Sequence, residues 1–266
     1  MNDGVNDLID RFGCGEYQNR INMKPKFLAA IFCLAFGLTA FAQAGLTNAS
    51  TQVEKSFEAK IMVTAKVDYL LSLPADYDKS RKPWPLVLFL HGSGESGTNL
   101  ARVKNHGPPK LVEANGPFPF ILVSPQSSGG RGWNIEALNA LLDKVIKEYR
   151  VDKDRVYLTG LSMGGFGTWA LAAAHPEKFA AIAPICGGGN PGDAKKLVKL
   201  PIWVFHGAKD PTVPLRRSEE MVEALKAAGG NPKFTVYPEA THDSWTVTYN
   251  DPEFFKWLLA QKRGGG

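Results

Sequence analysis

Along residues 55–262, short apolar runs alternate with longer stretches whose apolar positions recur every three or four residues. Leu86-Val87-Leu88-Phe89-Leu90 and Ile202-Trp203-Val204-Phe205 are apolar throughout, as strands covered on both faces are. Strands are predicted at 57–63, 67–73, 86–90, 119–123, 155–159, 180–185, 202–206 and 233–238. The first two runs lie so close together that they can join only as a hairpin. Helices are predicted at 134–150, 163–174, 215–228 and 252–262. In the first helix, Ile135, Leu138, Leu142, Val145, Ile146 and Tyr149 recur at helical spacing, with Lys and Asp residues between them. Strand and helix in alternation predict a mostly parallel α/β sheet with helices on both faces. Such sheets bind ligands beyond the carboxyl ends of their strands, so chemistry is expected just after each strand.

The N-terminus follows another pattern. Lys24 and Lys26 precede an apolar run over 27–41, and Ala42-Gln43-Ala44 follows. A charged start, an apolar stretch and a small-x-small site predict a signal peptide over 23–44, cleaved after Ala44. The run falls short of the roughly 20 residues that a membrane span needs. Residues 1–22 precede Met23, itself a plausible initiator, and are expected to be a gene-prediction extension. That leaves 45–266 as a single catalytic domain, secreted or periplasmic, with no membrane span in the mature chain.

Composition narrows the class. Of 266 residues, 44% are apolar and 21% charged, the balance of a globular domain. The net charge of +5 is spread along the chain rather than clustered, which argues against a nucleic-acid partner. Of the three cysteines, Cys14 and Cys33 precede Ala44, so Cys186 has no partner in the mature chain. There is no CxxC pair and no His/Cys cluster at metal-ligand spacing, so no metal or cofactor is expected. Cys186 reads as a small buried residue.

The strongest chemical signal is Gly160-Leu161-Ser162-Met163-Gly164, with Val156-Tyr157-Leu158-Thr159 as a strand before it and a helix after it. A serine on a tight strand-to-helix turn is held exposed at the sheet edge, with the free N–H groups of the helix N-terminus beside it. The hydroxyl needs a base. Of the five histidines, His91 and His206 each end a strand as His-Gly and are expected to shape loops beside the cleft. His106 lies in a Gly-Pro-Pro loop, and His175 ends the helix that Ser162 begins. His242, after the last strand, is the candidate base. Its carboxylate partner is predicted to be Asp210, in the loop after strand 202–206. Asp243 adjoins His242 and should point elsewhere, and Asp193 is a weaker rival. For an oxyanion, Met163 N–H and Ser93 N–H are the candidate donors, with Gly94 as second choice for Ser93.

Gly92-Ser93-Gly94-Glu95-Ser96-Gly97 also matches G-x-G-x-x-G after a strand. A dinucleotide site would need a long helix next and an acidic residue ending the following strand. The chain has Gly107-Pro108-Pro109 and Ser124-Pro125-Gln126 instead.

The segments LFLHGSGESG, VSPQ, VDKDRVYLTGLSMGGFGTW, APICGGG, VFHGAKDPTVP and THDSW together resemble a secreted bacterial α/β-hydrolase. The group is that of esterases and "predicted peptidases", related to dienelactone hydrolases and feruloyl esterases. The resemblance covers nearly all of 55–262. It implies the α/β-hydrolase fold with an eight-stranded sheet and the triad Ser162, Asp210, His242, in the chain order of that fold. It further implies that Trp133, Gln126 and Trp245 line or border the cleft. Dienelactone hydrolases proper use a cysteine nucleophile. Ser162 departs from that, so their substrate is not carried over.

Only residues 186–201 separate strands 180–185 and 202–206, too few for a cap domain. The site is therefore expected to be open, suited to short acyl groups or to esters on a bulky carrier such as a plant-wall polysaccharide. The leading expectation is a secreted serine carboxylesterase, with acetyl or feruloyl esters as its sharpest form. A serine peptidase and a non-catalytic binding scaffold remain as alternatives. The oligomeric state is not readable.

Overall fold

In strand β2 (Trp84–Leu90), Leu86, Leu88 and Leu90 enter one apolar core while Val87 and Phe89 enter another. Side chains alternate across a strand, so a strand apolar at every position needs cover on both sides. Helices α2 (Ile135–Glu148), α3 (Met163–Ala174) and α5 (Arg216–Ala227) supply it on one face. Leu138, Leu142, Val145, Trp169, Met221 and Leu225 pack there. On the other face, α6 (Trp245–Asn250) and α7 (Pro252–Ala260) bring Tyr249, Phe254 and Leu258 against Phe89, Tyr157 and Phe205. Full burial of each such side chain stabilises the fold by about 1.5–3 kcal/mol.

The computed structural model describes residues 56, 58, 64–129 and 132–264. The chain divides into two units, Met1–Lys60 and Ile61–Gly266, and all secondary structure among the described residues lies in the second. The remaining strands are β1 (Tyr69–Ser72), β3 (Ile121–Pro125), β4 (Val151–Leu161), β5 (Ala181–Ile185), β6 (Trp203–Gly207) and β7 (Lys233–Tyr237). Their order is β1-β3-β2-β4-β5-β6-β7. Only β1 runs antiparallel, on the edge beside β3; the other pairings are parallel.

The sheet therefore has seven strands among the described residues, against eight expected. The expected strand 57–63, its hairpin, the segments 1–22 and 23–44, and the boundary after Ala44 lie outside the described residues, Glu58 excepted. Gly107-Pro108-Pro109, expected as part of the loop that holds His106, instead open helix α1 (Gly107–Asn115). The prolines occupy its first turn, where the N–H they lack has no helical partner in any case. Between β5 and β6 lie a short 3-10 turn and the four-residue helix α4 (Ala194–Leu197), and no cap domain is inserted there. No helix among the described residues is long and apolar enough to cross a membrane.

Candidate active site

Strand β4 ends at Leu161 and helix α3 begins at Met163, leaving Ser162 alone to turn the chain at φ 53°, ψ −118°. A non-glycine residue there stores about 1–3 kcal/mol of strain and persists only where its surroundings hold it. Its N–H donates to Ile185 O at 3.0 Å, with Cys186 Sγ at 3.3 Å, and its carbonyl accepts Phe166 N–H at 3.1 Å. The turn also needs α3 pressed onto β2. A Cβ on Gly164 would stand 1.9 Å from Leu90 O and 2.7 Å from His91 O.

The structure brings Ser162, His242 and Asp210 into one hydrogen-bonded chain. Ser162 Oγ donates to His242 Nε2 at 2.9 Å, and His242 Nδ1 donates to Asp210 Oδ2 at 2.7 Å. Asp210 Oδ1 accepts the N–H groups of Thr212 (2.8 Å) and Val213 (2.9 Å). Burial of this carboxyl pulls its pKa up, but His242 and the Val213 and Thr212 N–H groups outweigh burial and hold it below the ordinary value. Asp210 therefore remains an anion able to orient the imidazole and stabilise its protonated form. The rivals are occupied elsewhere: Asp243 accepts both N–H and O–H of Thr246, and Asp193 pairs with Lys196.

The loop after β2 runs beside the serine, since a Cβ on Gly92 would lie 3.6 Å from Ser162 Cβ. Gly92 N–H donates to the buried Glu95 carboxylate at 3.1 Å. Among the described residues, the N–H groups of Ser93, Gly94 and Met163 have no protein acceptor. Gln126, expected to line or border the cleft, is buried. Its Nε2 donates to Glu95 O at 2.7 Å and Asn99 O at 2.8 Å. A buried amide satisfies its donors, and here they brace the loop that carries Ser93. His91 Nε2 accepts Ser127 N–H at 3.0 Å, and burial lowers its pKa, so it too shapes the loop.

A cleft of about 490 Å³ opens beside Ser162, lined by Trp133, Ile135, Met163, Phe166 and Ala170 among others. Trp133 is thus in the wall of this cleft. Trp245 is not among the residues of that cleft; its ring stands perpendicular to that of His242, 5.2 Å between centroids. Phe166 and Ala170 were not anticipated. They follow Ser162 at helical spacing on α3, the one signal that could have pointed to them.

Cys186 Sγ, an Asp210 oxygen and a His242 nitrogen lie within 4.8 Å of one another. Burial raises the thiol pKa to about 12, so Cys186 adds no second anion beside Asp210, and its Sγ already faces Ser162 N–H at 3.3 Å. The other two groups already hydrogen-bond within the chain from Ser162. This donor set suits proton transfer at Ser162 rather than metal binding.

The dienelactone hydrolase family matches residues 132–252. A bifunctional acetylxylan esterase/xylanase, XynS20E, of Neocallimastix patriciarum is 32% identical over 142 residues, covering 51% of this chain and 20% of that protein. Feruloyl esterase C of Emericella nidulans is 31% identical over 157 residues, covering 56% of each chain. The crystal structure of a thermostable esterase aligns with TM-score 0.64 and 34% identity over 74% of this chain and 60% of that one. The chain thus spans a fifth of the first relative and little more than half of the second.

Proposed function

We propose, from the premise that this chain is an α/β-hydrolase with esterase relatives, that it is a secreted serine carboxylic ester hydrolase. The observation that carries the reading is the continuous chain from Ser162 Oγ through His242 to Asp210, at 2.9 and 2.7 Å. Ser162 Oγ attacks the ester carbonyl as His242 Nε2 takes its proton. The carbonyl oxygen becomes an anion held by Met163 N–H and by Ser93 N–H, or Gly94 N–H in its place. Each such donor contributes about 2.7–4 kcal/mol to the transition state. The carbon–alkoxy bond then breaks, His242 protonates the departing alcohol, and an acyl group remains on Ser162. Water, deprotonated by His242, repeats the sequence and releases the acid.

The substrates of this reading are short-acyl or aromatic-acyl esters, with acetyl or feruloyl esters of plant-wall polysaccharide as the sharpest case. Trp133, Ile135 and Phe166 supply flat and branched apolar surface for an acyl group, and the short β5–β6 connection, with no cap inserted, leaves room for a polymeric alcohol. The relatives named acetylxylan esterase and feruloyl esterase support the same direction. Secretion rests on the signal-peptide pattern of residues 23–44.

The test compares esters with amides: p-nitrophenyl acetate and methyl ferulate against a peptide p-nitroanilide. The ester reading expects kcat/KM for at least one ester to exceed that for the anilide by 100-fold or more. Equal or faster cleavage of the anilide would make the protein a peptidase. No turnover of any of them, with ligand binding retained, would make it a binding scaffold.

A further inference from the structure

Asp210 meets a second imidazole that the triad does not use. His206, next to last in β6 and four residues before Asp210, is fully buried. Its Nε2 lies 2.8 Å from Val213 O and 3.2 Å from Asp210 Oδ2, the oxygen that binds His242. A carbonyl can only accept, so Nε2 carries a hydrogen. On the other side of the ring, Nδ1 lies 2.7 Å from Ser218 Oγ, which is 3.0 Å from Gly187 O. The imidazole is therefore fixed at both ends. One end is tied to α5 and the loop after β5, and the other closes the loop 207–213 onto its own acid.

We propose that His206 is a positioning residue of the active site, acting through Asp210; the inference rests on the serine hydrolase reading. The Asp210 carboxylate has its Oδ1 pinned by two N–H groups, while Oδ2 faces both imidazoles. The Nε2–H of His206 donates to Val213 O, and the ring edge that carries it stands 3.2 Å from Oδ2, turning its positive dipole toward a carboxylate shielded from water. Without it, the loop closed through Val213 O opens and Oδ2 can swing away from His242 Nδ1. Small misplacements of this kind cost up to about 100-fold in rate without contact to substrate.

Two isosteric variants separate this role from mere filling of space. The amide of His206→Gln reaches the position of Nε2, and that of His206→Asn reaches the position of Nδ1. With p-nitrophenyl acetate, His206→Gln is expected to keep kcat within about threefold of the parent. His206→Asn is expected to lose about 10–100-fold in kcat with KM within twofold. In parallel, the low-field proton resonance of His242 Nδ1, identified by its loss in His242→Ala, should persist in His206→Gln and vanish in His206→Asn. Equal kcat in the two variants, or the same resonance in both, overturns the proposal. Should His206→Asn fail to fold, His206→Leu takes its place, filling the space without an N–H, and must lose the resonance and about 10–100-fold in kcat; parent-like values in it also overturn the proposal. A parent whose turnover survives Ser162→Ala would instead refute the hydrolase reading, while the proton resonance would still report on His206.

Discussion

Replacing Ser162 by alanine is expected to lower kcat for p-nitrophenyl acetate by about 10⁴–10⁶-fold. The variant loses the atom that attacks, so no acyl-enzyme forms, and what remains is water attack assisted by the N–H groups around the oxyanion. That residue of catalysis is about 10³–10⁴ over water in related constellations. Folding should change little. The deletion removes a hydrogen bond to a partly exposed imidazole, about 1 kcal/mol, and alanine must still adopt φ 53° at the turn. For a domain of this size the Tm should move by less than about 4 °C. Activity retained within tenfold would mean that another group attacks the ester.

Replacing Gly164 by alanine should damage the fold itself. The added methyl would sit 1.9 Å from Leu90 O, 2.5 Å from Leu90 C and 2.7 Å from His91 O, all backbone atoms of β2 and its exit. No rotamer change can relieve contacts between backbone and Cβ, so α3 must lift from the sheet and carry Ser162 with it. Overpacking of flexible side chains costs about 1–3 kcal/mol; here the rigid partners put the cost at or above about 3 kcal/mol. At about 2–4 °C per kcal/mol, thermal melts should show a Tm lower by roughly 6–12 °C or no folded protein, with esterase activity lost alongside. Gly94→Ala is the matched control, because nothing lies within 4 Å of its Cβ position. An unchanged Tm for Gly164→Ala would mean that α3 is not seated on β2 as described.

Much of this architecture was written locally in the chain. Strand 86–90, its neighbours and the helix from 163 to 174 follow from apolar runs and their periods, and β2 and α3 fall at Trp84–Leu90 and Met163–Ala174. Ser162, Asp210 and His242 were legible because each follows a strand, and a parallel sheet collects the carboxyl ends of its strands on one edge. Where one residue type serves two purposes, local reading failed. Pro108 and Pro109 break a helix from within but begin one at its first turn, so Gly107-Pro108-Pro109 reads as loop where the first turn of α1 stands. The family resemblance implied that Gln126 lines or borders the cleft. Gln126 turns inward because two carbonyls of another loop, Glu95 O and Asn99 O, need a donor. The cleft wall joins Trp133, ahead of α2, to Phe166 on α3, and which helices neighbour each other is a tertiary fact. His206 was recognised as a loop former, but its approach to Asp210 depends on how residues 207–213 double back.

The central claim is that Ser162 is an activated nucleophile, and stoichiometric labelling with diisopropyl fluorophosphate tests it most directly. Ser162 Oγ should displace fluoride from phosphorus and form one phosphoserine ester per chain, found by mass spectrometry on the peptide that carries Ser162. The adduct should be absent from Ser162→Ala and form far more slowly in His242→Ala, where the hydroxyl lacks its base. A folded parent protein that takes no label, or one whose label sits on another residue and persists in Ser162→Ala, would contradict the account.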